Sequence, residues 1–103
     1  MIPRLALILA ALLLATPAQA QHKLTLLLDW FVNPDHGPLF VAQERCYFRE
    51  AGLNVEMIAP TDPNDPPKLV AAGRADLAIS YQPQLTIQAA EGLPLVQIGR
   101  AHV

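Results

Sequence analysis

Apolar and polar positions in this chain alternate in short blocks, each closed by proline, glycine or asparagine. Lys23 to Asp29 (Lys-Leu-Thr-Leu-Leu-Leu-Asp) is a short apolar run ending on a charge, which predicts a buried strand. Asn33-Pro34-Asp35 marks Phe31 to Gly37 as a loop. Pro38 suits the first turn of a helix over Leu39 to Arg45. Tyr47 to Gly52 reads as a turn or short helix stopped by its glycine, and Leu53 to Ala59 as a second strand. After a turn-rich Pro60 to Asp65, Asp65 is expected to cap a helix that carries Pro66 at its first position and ends at Gly73. Asp76 to Ser80 predicts a third strand, Pro83 to Glu91 a third helix closed by Gly92, and Leu95 to Ile98 a fourth strand. Strands separated by single helices of this length imply βαβ units and a parallel sheet, an α/β fold.

The first twenty residues do not fit that pattern. Arg4 supplies a positive start and Leu5 to Ala15 is unbroken and apolar. Pro17 and Ala18-Gln19-Ala20 follow, a helix break and a small-x-small cleavage site. This is the secretory signal pattern, and the run is short of the ~20 apolar residues of a membrane span. Residues 1–20 are therefore expected to be a signal peptide, and the product to start at Gln21 in the periplasm, not membrane-embedded. Gln21 stands where a lipoprotein would need cysteine. Beyond the signal, six Lys and Arg face nine Asp and Glu without a basic cluster, which argues against nucleic acid. Cys46 is the only cysteine, so no disulfide within the chain can form.

In parallel α/β sheets ligands bind at the carboxyl ends of the strands. Two segments are expected there: Asp29 to His36, and Ser80-Tyr81-Gln82-Pro83-Gln84. Both are rich in aromatic, amide and hydroxyl groups, which suit a flat polar heterocycle: a ring face to stack on, and donors and acceptors for ring nitrogens and exocyclic amines. The candidate ligand-binding residues are Trp30, Asn33, His36, Ser80, Tyr81 and Gln82. Each has a structural alternative. Trp30 could cap the core, Asn33 could bond its own turn, His36 could be a capping or hydrogen-bonded structural residue, and Tyr81 could cover the third helix. Asp29 could accept from a ligand amine or cap the loop, and reads rather as the cap; Asp62 and Asp65 read as turn and cap. Metal-ligand spacing, a Gly-rich phosphate loop and a Ser-His-Asp order are all absent from the sequence, and no catalytic residue or cofactor is assigned.

Leu27 to Gln43, containing Asp-Trp-Phe-Val-Asn-Pro-Asp-His-Gly-Pro, resembles the opening of the NMT1/THI5-like proteins. Tyr47 to Leu53, Pro60-Thr61-Asp62-Pro63 and Ala72-Gly73-Arg74-Ala75-Asp76-Leu77 extend the resemblance. The Trp-x-x-Asn-x-x-His segment is its more specific part. Gly-Arg-Ala-Asp-Leu-Ala occurs across many type II binding proteins and says little about the ligand. The resemblance implies a type II periplasmic binding protein fold of two hinged lobes, of which residues 21–97 would supply part of the first. It implies the solute-binding component of an ABC importer that hands an aminopyrimidine thiamine precursor to a transporter permease. Cys46 departs from the family, which usually has glycine there as suits a left-handed helix end.

Two other functions stay open. The fungal pyrimidine synthases of the same family carry a cofactor-binding lysine at the end of the third strand and a histidine four residues later. Ser80 and Gln84 hold those positions here, and neither can form a Schiff base or transfer a proton. A binding protein for an alkanesulfonate, taurine or nitrate would favour basic groups and helix N-termini, whereas the first loop here is acidic and aromatic. Residues 98–103 are expected to be a non-native tail. Ile-Gly-Arg-Ala-His-Val is what a common short-read sequencing adapter encodes in one frame, ahead of a stop. The coding DNA of those codons would test this.

Overall fold

The computed structural model describes residues 20–100. The expected signal peptide therefore lies outside the described residues, apart from Ala20, as does the end of the expected tail. Three parallel strands form one sheet in the order β2-β1-β3, with β1 at His22–Leu27, β2 at Leu53–Ile58 and β3 at Leu77–Ala78. The strand with the longest apolar run takes the centre. Leu26, Leu27 and Leu28 are all buried, so successive side chains on both faces of β1 are covered, the mark of a central parallel strand. The register against β2 runs from His22 opposite Leu53 to Leu27 opposite Ile58. Val55 supplies the fourth buried apolar side chain.

Between β1 and β2 the chain makes a 3-10 turn, Pro34–His36, then helix α1, Gly37–Glu44, and a single-turn helix α2, Tyr47–Glu50. The loop expected over Phe31 to Gly37 thus contains helical structure, because Asn33 caps the turn. Between α1 and α2 Cys46 adopts φ 60° and ψ 20°, the left-handed conformation. A side chain in that region is strained by about 1 kcal/mol, which is why glycine suits the position. Gly52, at φ 78°, ends the segment and delivers the chain to β2.

Helix α3, Asp65–Ala71, crosses from β2 to β3. Its cap is Asn64, not Asp65 as expected; Asp65 is already the first helical residue. The Asp62 carboxylate accepts the Asn64 N–H at 2.9 Å and starts the turn one residue earlier. Pro66 is fully buried, and Gly73, at φ 74°, closes the crossover.

The third strand is shorter than Asp76 to Ser80, with Leu26 opposite Leu77 and Leu27 opposite Ala78. Its flanks still bond to β1: the Asp76 N–H donates to Thr25 O at 3.1 Å and the Ile79 N–H to Leu27 O at 2.9 Å. The Asp76 carboxylate accepts the Thr25 N–H at 2.8 Å, acting as the carbonyl a longer strand would offer. Helix α4, Gln82–Ala90, follows with proline in its first turn and ends before Gly92. The expected fourth strand is not formed. Leu95 to Ile98 has no regular structure, and Val96 and Ile98 are 86% and 78% exposed. An apolar run is a strand only when a neighbour pairs with it, and Leu95 to Ile98 pairs with neither outer strand, although the outer edges of β2 and β3 are open.

Candidate functional site

Parallel strands bring the segments after β1, β2 and β3 to one edge of the sheet. The segment after β1 is built around Asp29. This residue is buried, and its Oδ1 lies 2.6 Å from His36 Nε2. The other ring nitrogen of His36 accepts the Asn33 backbone N–H at 3.3 Å. A nitrogen that accepts carries no proton, so Nε2 is the donor to Asp29. His36 is 2% exposed with both nitrogens engaged, and it clasps the loop.

Asn33 donates from Nδ2 to Phe31 O at 2.8 Å and accepts the Asp35 N–H at 2.9 Å. It keeps one N–H and one lone pair beyond those bonds. The geometry gives Asn33 and His36 the structural duties that were their alternatives, but leaves polar capacity only on Asn33. Trp30 is no core cap: it is 48% exposed and meets Phe31 edge to face at 5.5 Å.

After β3 the chain presents Ser80, Tyr81 and Gln82. Tyr81 is 58% exposed, with its hydroxyl beside the Asp29 carboxylate that His36 holds. Burial pushes the Asp29 carboxyl up, but hydrogen bonds from Tyr81, His36 and its own backbone N–H outweigh this and hold it below the ordinary value. The same hydrogen bond pushes the Tyr81 phenol up, helped by desolvation and by the charges of Asp29 and Asp35. The Ser80 hydroxyl donates to Gln84 Oε1 at 2.7 Å. Gln84 Nε2 in turn reaches Asn64 Oδ1 at 3.3 Å and Pro63 O at 3.4 Å, in the segment after β2. Ser80, Tyr81 and Gln82 line a groove of about 480 Å³ along β3, walled also by Leu85 and the Pro94 to Gly99 segment.

The structure thus joins Asp29, His36 and Tyr81 in one cluster and Ser80 with Gln84 in another. Asp29 and Gln84 were not among the candidates. Ser80 precedes helix α4 and Gln84 lies in its first turn, so their meeting was not readable from helical spacing. The meeting of Asp29 with Tyr81 depends on strand order and had no signal either. Among the described residues no group of three or more His, Cys, Asp or Glu could hold a metal ion, and no helix is long and apolar enough to cross a membrane. The arrangement offers exposed aromatic faces beside a carboxylate, a hydroxyl and amides, which is chemistry for holding a polar ring.

The family described as NMT1/THI5 like matches residues 33–102. A protein of Haemophilus influenzae named for thiamine biosynthesis is 54% identical over 88 residues, 85% of this chain and 28% of that protein. The formylaminopyrimidine-binding protein of Halalkalibacterium halodurans is 40% identical over 84 residues, 82% of this chain and 26% of its own length. A 4-amino-5-hydroxymethyl-2-methylpyrimidine phosphate synthase of Aspergillus parasiticus is 34% identical over 77 residues, 75% of this chain and 22% of the enzyme. The chain spans about a quarter of the length of these relatives.

Proposed function

This chain belongs to the NMT1/THI5-like family, and on that premise we propose that it contributes part of the ligand-facing lobe of a periplasmic solute-binding protein. The ligand is an aminopyrimidine precursor of thiamine, delivered to the permease of an ABC importer. The observation that carries this reading is the pair of half-exposed aromatics, Trp30 and Tyr81, at the carboxyl ends of the neighbouring strands β1 and β3. The same strand ends carry the Asp29 carboxylate and Asn33 amide after β1, and the Ser80 hydroxyl and Gln82 amide after β3. An aminopyrimidine offers a π-face for the former and N–H donors and ring acceptors for the latter. The relative named as a formylaminopyrimidine-binding protein supports the same ligand class.

Similarity to the fungal synthases supports an enzymatic reading as the second choice. Ser80 and Gln84 weigh against it, since a hydroxyl and an amide supply neither an amine nucleophile nor an imidazole. Calorimetry decides, on the intact protein at the full length of its relatives. Formylaminopyrimidine is expected to bind and taurine and nitrate to give no heat. Binding of taurine or nitrate without any response to the pyrimidine would reject the proposal. An imine absorbance band on adding pyridoxal phosphate would favour the enzyme.

A further inference from the structure

The polar groups at the start of α4 form a relay whose direction is fixed at its far end. A carboxylate can only accept. Asp62 Oδ1 takes both the Asn64 backbone N–H, at 2.9 Å, and the Asn64 Nδ2, at 3.1 Å. The Asn64 amide is thereby oriented with its oxygen toward Gln84. A backbone carbonyl likewise has no proton to give, so the end of Gln84 that faces Pro63 O and Asn64 Oδ1 must be its nitrogen. The reverse orientation would set the Gln84 oxygen against two others. Its Oε1 therefore turns to Ser80 and takes the Ser80 hydroxyl proton at 2.7 Å. A serine hydroxyl has one proton and two lone pairs.

We infer that Ser80 is an obligate hydrogen-bond acceptor in the groove, and that it selects ligands carrying an N–H donor, such as an exocyclic amine, at that point. The inference deepens the proposed function, on which its ligand half rests. Acceptor-only groups, such as the oxygens of a sulfonate or nitrate or a ring methoxy in place of the amine, would meet lone pair against lone pair. The polarity is set by Asp62 and Pro63, about twenty residues away in sequence, and not by Ser80 itself.

The test compares an aminopyrimidine with its methoxy analogue by calorimetry on the intact protein. One neutral hydrogen bond is worth about 0.5–1.5 kcal/mol, so the wild type is expected to prefer the amine by roughly 2- to 12-fold from Ser80 alone. Gln84→Leu frees the Ser80 proton, lets the hydroxyl donate or accept, and should bring the ratio toward about 1. General damage to the site would weaken both ligands together and leave the ratio unchanged, which would overturn the inference. If the aminopyrimidine does not bind the wild type at all, the functional proposal fails and the relay is judged without ligand. Neutron diffraction from the deuterated, ligand-free protein should place the Ser80 deuteron on the line to Gln84 Oε1. A deuteron pointing into the groove would refute it.

Discussion

Replacing His36 by alanine tests whether the loop after β1 is held from within. The imidazole is 2% exposed, and its partner Asp29 has a side chain 11% exposed. Removing the ring leaves a buried carboxylate without its 2.6 Å donor and the Asn33 N–H without its acceptor. Breaking one side of a buried pair costs about 3–5 kcal/mol. Asp29 keeps Tyr81 and its own N–H, so the lower end, about 3 kcal/mol, is expected. With a urea slope of about 2–3 kcal/mol/M, the unfolding midpoint of the intact protein should fall by about 1 M at unchanged slope. The effect also carries a pH signature. The folded carboxyl of Asp29 is lowered below the ordinary 3.8. Its stabilisation is therefore fully present above that value and is lost as pH falls through the lowered one. The difference between wild type and His36→Ala should accordingly shrink below about pH 4. A midpoint unchanged within about 0.3 M, together with lost ligand affinity, would refute the clasp and make His36 a ligand contact.

Other outcomes follow from the same geometry. Asp76→Ala should destabilise the intact protein by about 1–2 kcal/mol, because the Thr25 N–H loses a charged acceptor at 2.8 Å, and Asp76→Asn should recover most of it, both read by urea unfolding. The Tyr81 phenol should titrate above 10, read as phenolate absorbance after subtracting a Tyr81→Phe variant, and Asp29→Asn should bring it back toward 10. The stabilisation tied to that contact is present below about pH 10 and is lost as pH rises through the raised folded value. Intact-mass measurement of periplasmic extract should show a chain beginning at Gln21; a product retaining Met1 would reject the export proposal.

How much of this was legible depended on the range of the forces involved. Chain punctuation is local: Gly52, Gly73 and Gly92 all have positive φ where the sequence placed helix or turn ends, and proline stands in the first turn of α1, α3 and α4. β1 and β2 were readable because burial on two faces demands continuous apolar residues. Leu95 to Ile98 carried the same signal and failed, because composition says that a segment is apolar but not whether it pairs with an open edge. The candidate site divides along the same line. Trp30 and Tyr81 were findable as aromatics beyond strand ends, where the chain has few structural uses for exposed rings. Nothing in the sequence shows that Asp29 reaches both His36 and Tyr81, because the second contact exists only once β3 lies beside β1.

That dependence bears on what the site can do. Asp29 bonds His36 within its own loop and has the Tyr81 hydroxyl beside it across the sheet, so one carboxylate acts on both strand ends. The Asp76 carboxylate, bonded to Thr25 four residues upstream of Asp29, sets the register that makes the second contact possible. A slip of one residue in β3 would carry Tyr81 about 3.3 Å along the strand and reverse its face. Preorganised partners lose little freedom when a ring enters between them, which is where affinity is gained in a site with few contacts. The residues of this edge thus divide by geometry: His36 and Asp76 are engaged in holding position, and Trp30, Tyr81 and Ser80 are the groups that the proposed function assigns to the ligand.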